Sequence, residues 1–166
     1  MDGSTRMKFW SHFVPAALTL PLLLMAASVA QPTEAAGDFG LPQCRFTRPA
    51  DFVGTLHWDG GCVAGLADGR GVLRGYLPKQ PPRLFFGRMR AGQLAQGVVE
   101  VKGGFLAGVF EGGKLKRSEE RADYLQAFDE AAAAAHEASV RFRKAGNEPS
   151  ARFYGDWATK LSAQMD

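Results

Sequence analysis

The sequence predicts an α+β fold: a small antiparallel sheet of hairpins turning on glycine, followed by a C-terminal helical hairpin. Two observations carry this. Residues Trp58–Leu73 read WDGGCVAGLADGRGVL, with glycines at Gly60, Gly61, Gly65, Gly69 and Gly71 set among apolar residues. A helix does not tolerate that density, because each interior glycine costs about 1 kcal/mol relative to alanine. Short strands joined by tight turns do, since glycine supplies φ > 0 without strain. After Leu115 the composition then changes abruptly: glycine disappears until Gly146 and a run of alanines takes its place.

The first 30 residues have the pattern of a secretory signal peptide. Arg6 and Lys8 give a positive start, Phe13–Met25 is apolar, and Ser28-Val29-Ala30 is a small-x-small cleavage signal, so cleavage is expected after Ala30. The alternative is an uncleaved membrane anchor, against which stand the shortness of the apolar run and its interruption by Pro15 and Pro21. Cleavage leaves about 136 residues, the size of one domain. Residues 31–43 read as a flexible leader, 44–115 as the β region and 116–166 as the helical hairpin.

Export places the chain in an oxidising space, where its two cysteines, Cys44 and Cys62, are expected to bond. Two buried free thiols or a metal site are the alternatives; a metal is disfavoured because no CxxC or HxxxH spacing is present. The bond would tie the segment Cys44–Val53 to the first hairpin. That segment contains Pro49, which confines it to a sheet edge. Between Gly75 and Arg83 stand Pro78, Pro81 and Pro82, marking a loop and the most plausible place for specificity, or a plain connector. Val98–Lys102 alternates and runs into Gly103-Gly104, a strand and a turn.

Ser118–Lys144 is predicted to be helical. Ser118 is the candidate cap, Glu119, Glu120 and Asp123 suit the positive end of the dipole, and Arg141, Arg143 and Lys144 suit the other. Leu125, Phe128, Ala132, Ala135, Ser139 and Phe142 form one stripe. Gly146 or Asn147 ends the helix and Pro149 opens a second one, with Phe153, Trp157 and Leu161 on its apolar side. The alanine-rich stretch is open to close approach by the sheet, by the second helix or by another copy of the chain.

The glycine pattern repeats. An apolar residue stands two positions before a glycine at Trp58/Gly60, Phe85/Gly87 and Leu106/Gly108, and a further glycine follows five positions later at Gly65, Gly92 and Gly113. Periodicity of this kind marks units that stack on their neighbours. These residues resemble MORN repeats, whose unit reads roughly Y-x-G-x-F/W-x-x-G-x-x-x-G-x-G-apolar. The first copy matches with Trp58, Gly60, Gly65, Gly69, Gly71 and Val72 but has Cys62 at the aromatic slot; the second matches with Phe85, Gly87, Met89 and Gly92, with Gly97 out of step; the third matches with Gly108, Phe110 and Gly113 and stops. The resemblance spans Phe52–Leu115 and makes Gly60, Gly65, Gly69, Gly71, Gly87, Gly92, Gly108 and Gly113 turn glycines. It implies a scaffolding role through contact with a protein, or, as in some similar repeats, with phospholipid. An ordinary glycine-rich antiparallel sheet is the plainer alternative.

No catalytic constellation is present in the sequence: no G-x-S-x-G elbow and no GxxxxGK[ST] loop. His57, near Asp59 and Asp68, is more simply a packing or solvated histidine, and His136 lies mid-helix. No cofactor is expected. Charge is interspersed, with a net +3, which argues against a nucleic-acid patch. The helical hairpin is expected to cover one face of the sheet and to leave Trp58, Phe85 and Phe110 either in the core or on a second face open for binding. The functional expectation is an exported, periplasmic or secreted, non-catalytic module that binds a protein or envelope component. The alternative is a small enzyme or accessory domain acting on envelope polymer.

Overall fold

The computed structural model describes residues 38–41 and 43–166. The signal segment and most of the leader therefore lie outside the described residues. Strands β1 (Asp38–Leu41), β2 (Cys44–Thr47), β3 (Thr55–Val63), β4 (Leu66–Tyr76), β5 (Arg83–Arg90), β6 (Gln93–Val101), β7 (Gly104–Glu111) and β8 (Lys114–Leu115) precede α1 (Arg121–Lys144) and α2 (Glu148–Ser162). The fold is α+β: a curled mixed sheet followed by two helices. Strands β3 to β8 form successive antiparallel hairpins. The expectation of a purely antiparallel sheet needs correction at one place, because β2 runs parallel to β4 at Arg45 and Leu66. Residues 38–41, assigned from the sequence to a leader, pair with β2 as β1.

Two-residue turns close every hairpin of β3 to β8 except β4–β5, which the proline loop joins. At Ala64-Gly65 and Ala91-Gly92 both residues have positive φ (50° and 78°; 47° and 77°), the geometry whose twist matches that of the strands it joins. Gly112-Gly113 repeats it with 57° and 76°.

The other repeat glycines are not in turns, and this corrects the reading of Gly60, Gly71, Gly87 and Gly108. They lie mid-strand and directly opposite one another, Gly60 to Gly71, Gly71 to Gly87, Gly87 to Gly97 and Gly97 to Gly108, as one row across five strands. Gly69 also lies within β4, where the β3–β4 register shifts. The row is glycine because the space of a side chain is already taken. A Cβ at Gly71 would sit 2.6 Å from the Trp58 ring and 2.6 Å from the Cα of Gly60; one at Gly97 would sit 2.9 Å from the Phe85 ring and 2.7 Å from the Cα of Gly87. Trp58 and Phe85, two positions before Gly60 and Gly87, point to the same face as those glycines and lie across the row. Gly97, out of step in the sequence, is in step in space, because the register shifts differently near Gly60/Cys62 and near Arg88/Met89.

Each face of the sheet carries a core. Val72, Phe86 and Val98, paired in register, face the helices and pack with Phe128, Ala131, Ala135, Tyr154, Trp157 and Leu161. Leu73, Phe85 and Val99 face the other way and pack with Trp58, Phe110 and the N-terminal residues Phe46 and Phe52. Ala131, Ala134, Ala135 and Ala138 are fully buried, so these alanines pack within the chain. Helix α1 begins at Arg121, three residues after the expected Ser118, whose hydroxyl instead accepts from the Glu120 amide and donates to Asp123. It ends as expected at Gly146: the Gly146 and Asn147 amides donate to the Arg143 and Phe142 carbonyls, and Gly146 has φ 74°. Asn147 then caps α2 by accepting from the Ser150 amide.

Candidate interaction surface

Trp58, Phe85 and Phe110 do not form a binding face. Their exposures are 9%, 0% and 7%, because β2 and the segment through Pro49 and Phe52 close over that side of the sheet. The closure is fastened at β2. Cys44 and Cys62 form a disulfide, with Cα atoms 5.5 Å apart, and the Arg45 and Thr47 amides donate to the Gly65 and Gly92 carbonyls at 2.9 and 2.8 Å.

The helix-facing side of the sheet is apolar at its centre and charged at one end. Arg70 and Arg88, opposite one another on β4 and β5, both reach Glu130 of α1. Arg70 Nε donates to both Glu130 carboxylate oxygens at 2.9 and 3.0 Å, and Arg88 donates from Nε and Nη2 at 3.1 and 2.8 Å. Burial pushes the Glu130 carboxyl up, but the bonds from Arg70 and Arg88 outweigh it and hold the pKa below its ordinary value. Arg70 also meets Glu137 at 3.3 Å, and Arg141 donates to the Asp59 backbone carbonyl at 2.9 Å. This network fixes the angle of α1 on the sheet.

His57 is exposed on β3, opposite Arg74. Burial of part of its ring lowers its pKa, Arg74 lowers it further, and Asp59 opposes both. His136 is exposed on α1. Among the described residues no group of three or more His, Cys, Asp or Glu is placed to hold a metal. No described helix is long and apolar enough to cross a membrane.

The open surface lies at the other end of the sheet, around the proline loop. Two clefts flank Pro82. One, about 520 Å³, lies between the loop, Val53 and the end of β6 at Glu100–Lys102. The other, about 310 Å³, lies between Arg74, Tyr76 and Pro82 on the sheet side and Pro149, Phe153 and Tyr154 on the helix side. Val53, Tyr76 and Phe153 are 56%, 42% and 44% exposed, large apolar groups left in water at one end of the molecule. The sequence signals the loop through its prolines. It gives no sign of Tyr76 or of Arg74, and it assigns Phe153 to the buried side of α2. The structure leaves that ring half out, with Tyr154 buried in its place.

Comparison with protein-family models, with curated proteins and with solved structures returns no match.

Proposed function

We propose that this chain is an exported, non-catalytic interaction module, in which a MORN-like sheet serves as a rigid support and the surface around the proline loop makes the contact. The row Gly60–Gly71–Gly87–Gly97–Gly108 carries the reading. A sheet whose strands are matched by repeated glycine, with Trp58 lying over Gly60 and Gly71 and Phe85 over Gly87 and Gly97, is a stacked-unit architecture, and such architectures present surfaces rather than enclosed reaction chambers. The signal segment and the disulfide favour an oxidising compartment, periplasmic or extracellular. With one face under the helices and the other closed by β2 and Phe52, the exposed apolar groups Val53, Tyr76 and Phe153, gathered around the proline loop, are offered to a protein or envelope component.

The test is capture from an envelope extract with the purified chain and with a Tyr76→Ala/Phe153→Ala double variant. Both side chains are half exposed, so the variant keeps the fold within about 1 kcal/mol. A component retained by the parent and lost by the variant is the expected result. Equal retention by both overturns the assignment of this surface.

A further inference from the structure

The cleft between the β4–β5 loop and α2 has a composition that selects a ligand. Its walls are apolar and aromatic: Tyr76 and Pro82 on one side, Phe153 and Tyr154 on the other. It contains one cationic side chain, Arg74, and none of its lining residues is acidic. Among the described residues no carboxylate lies within ion-pairing distance of Arg74, and its Nε is buried with no hydrogen-bond partner. The Asp59 carboxylate, on the neighbouring strand, pairs with Arg141 at 3.4 Å. What holds Arg74 is neutral: its guanidinium lies 6.0 Å from the Phe142 ring, which stacks on Tyr154 at 5.3 Å, and the Tyr154 hydroxyl is its side-chain hydrogen-bond partner. A guanidinium supported by rings and left without an anion, in a hollow with a greasy lining, matches a ligand that brings its own negative charge on an apolar body.

We infer that this cleft binds a carboxylate carried on a compact apolar group, with Arg74 taking the charge and Tyr76 and Phe153 enclosing the apolar part. The inference rests on the surface assigned above and specifies its chemistry. At about 310 Å³ the cleft is at the small end of ligand sites, the size of a single ring or branched side chain with its acid group. Two sources share that chemistry: a free small acid, and the C-terminal residue of a chain ending in an apolar side chain.

The experiment is an NMR titration of the purified chain with 4-phenylbutyrate and with its uncharged amide, followed at the backbone amides of Tyr76, Ser150 and Phe153, all of which line the cleft. The acid is expected to shift these three signals with a dissociation constant in the millimolar range, and the amide to bind about tenfold more weakly. Arg74→Met should erase the difference between acid and amide; Phe153→Ala should weaken both and is the control should Arg74→Met fail to fold. A short peptide ending in phenylalanine, compared free and C-terminally amidated, distinguishes the sources: tighter binding than the small acid identifies a chain terminus, weaker binding a free acid. Equal binding of acid and amide, shifts away from the cleft, or a preference that survives in Arg74→Met overturns the inference. If envelope capture fails in the Tyr76/Phe153 variant while the parent ignores the acid, the contact surface stands and its ligand chemistry falls. If the acid binds but nothing is captured, the reverse holds.

Discussion

A single methyl group at Gly97 is expected to separate two strands. The added Cβ meets the Cα of Gly87 at 2.7 Å and the Phe85 ring at 2.9 Å, neither of which can yield without moving the sheet, and Gly97 has φ 151°. Gly97→Ala should therefore cost about 3 kcal/mol or prevent folding. Gly104→Ala, where a Cβ has no neighbour within 4 Å, should stay within about 0.5 kcal/mol. Urea denaturation of the two variants checks the contrast. At Glu130 the relevant variable is pH. Its folded pKa is held below the unfolded value, so the unfolded chain binds more protons in the acid range. The stabilisation is complete above the ordinary carboxylate value of about 4.3 and is lost as pH falls through the folded value. Glu130→Gln should be less stable at pH 7 and show a shallower loss between about pH 5 and pH 3, as read from urea midpoints across that range. An equally steep acid limb in the variant would remove Glu130 as its source.

At the scale of elements, β2 is the piece that decides what the sheet can do. It is short, four residues, and pairs with β4 at one position. Its place is held by the Cys44–Cys62 bond, by two backbone hydrogen bonds and by Phe46, which is fully buried. The bond closes a loop of 18 residues, worth about 3 kcal/mol in the chain-entropy model. Reduction is expected to lower stability by roughly that amount and to expose apolar surface where β2 lifts, which thermal unfolding with and without dithiothreitol, together with binding of a hydrophobic dye, measures. No change on reduction would mean that packing of Phe46 and Phe52 alone holds the closure. The helices have a different kind of anchor. Ring contacts such as Phe86–Trp157 at 5.0 Å and Phe105–Phe128 at 5.5 Å give α1 and α2 their depth, and the Glu130 network gives α1 its direction.

For the molecule as a whole, the consequence is that both broad faces of the sheet are occupied. Contact with a partner is left to the ends and edges, and the end around Pro82 groups three exposed apolar side chains, Val53, Tyr76 and Phe153, beside two clefts. The envelope-capture and titration experiments therefore address this end, and substitution of Trp58, a buried ring whose indole donates to the Gly61 carbonyl at 3.0 Å, would report on folding instead.

Local chemistry alone determined a good part of this protein. Gly65, Gly92 and Gly113, each with positive φ, mark hairpin tips; Gly146, Asn147 and Pro149 punctuate two helices through backbone geometry; two cysteines in a short chain imply their bond. These are properties of a few neighbouring residues, which is why they are legible in order. The glycine row, the burial of Trp58, Phe85 and Phe110, the parallel pairing of β2, the Arg70–Glu130–Arg88 network and the Arg74 cleft were decided only in three dimensions. Each depends on which strand lies opposite which, and residues 42 to 60 positions apart, as in that network, meet only after the sheet has curled and α1 has docked across it.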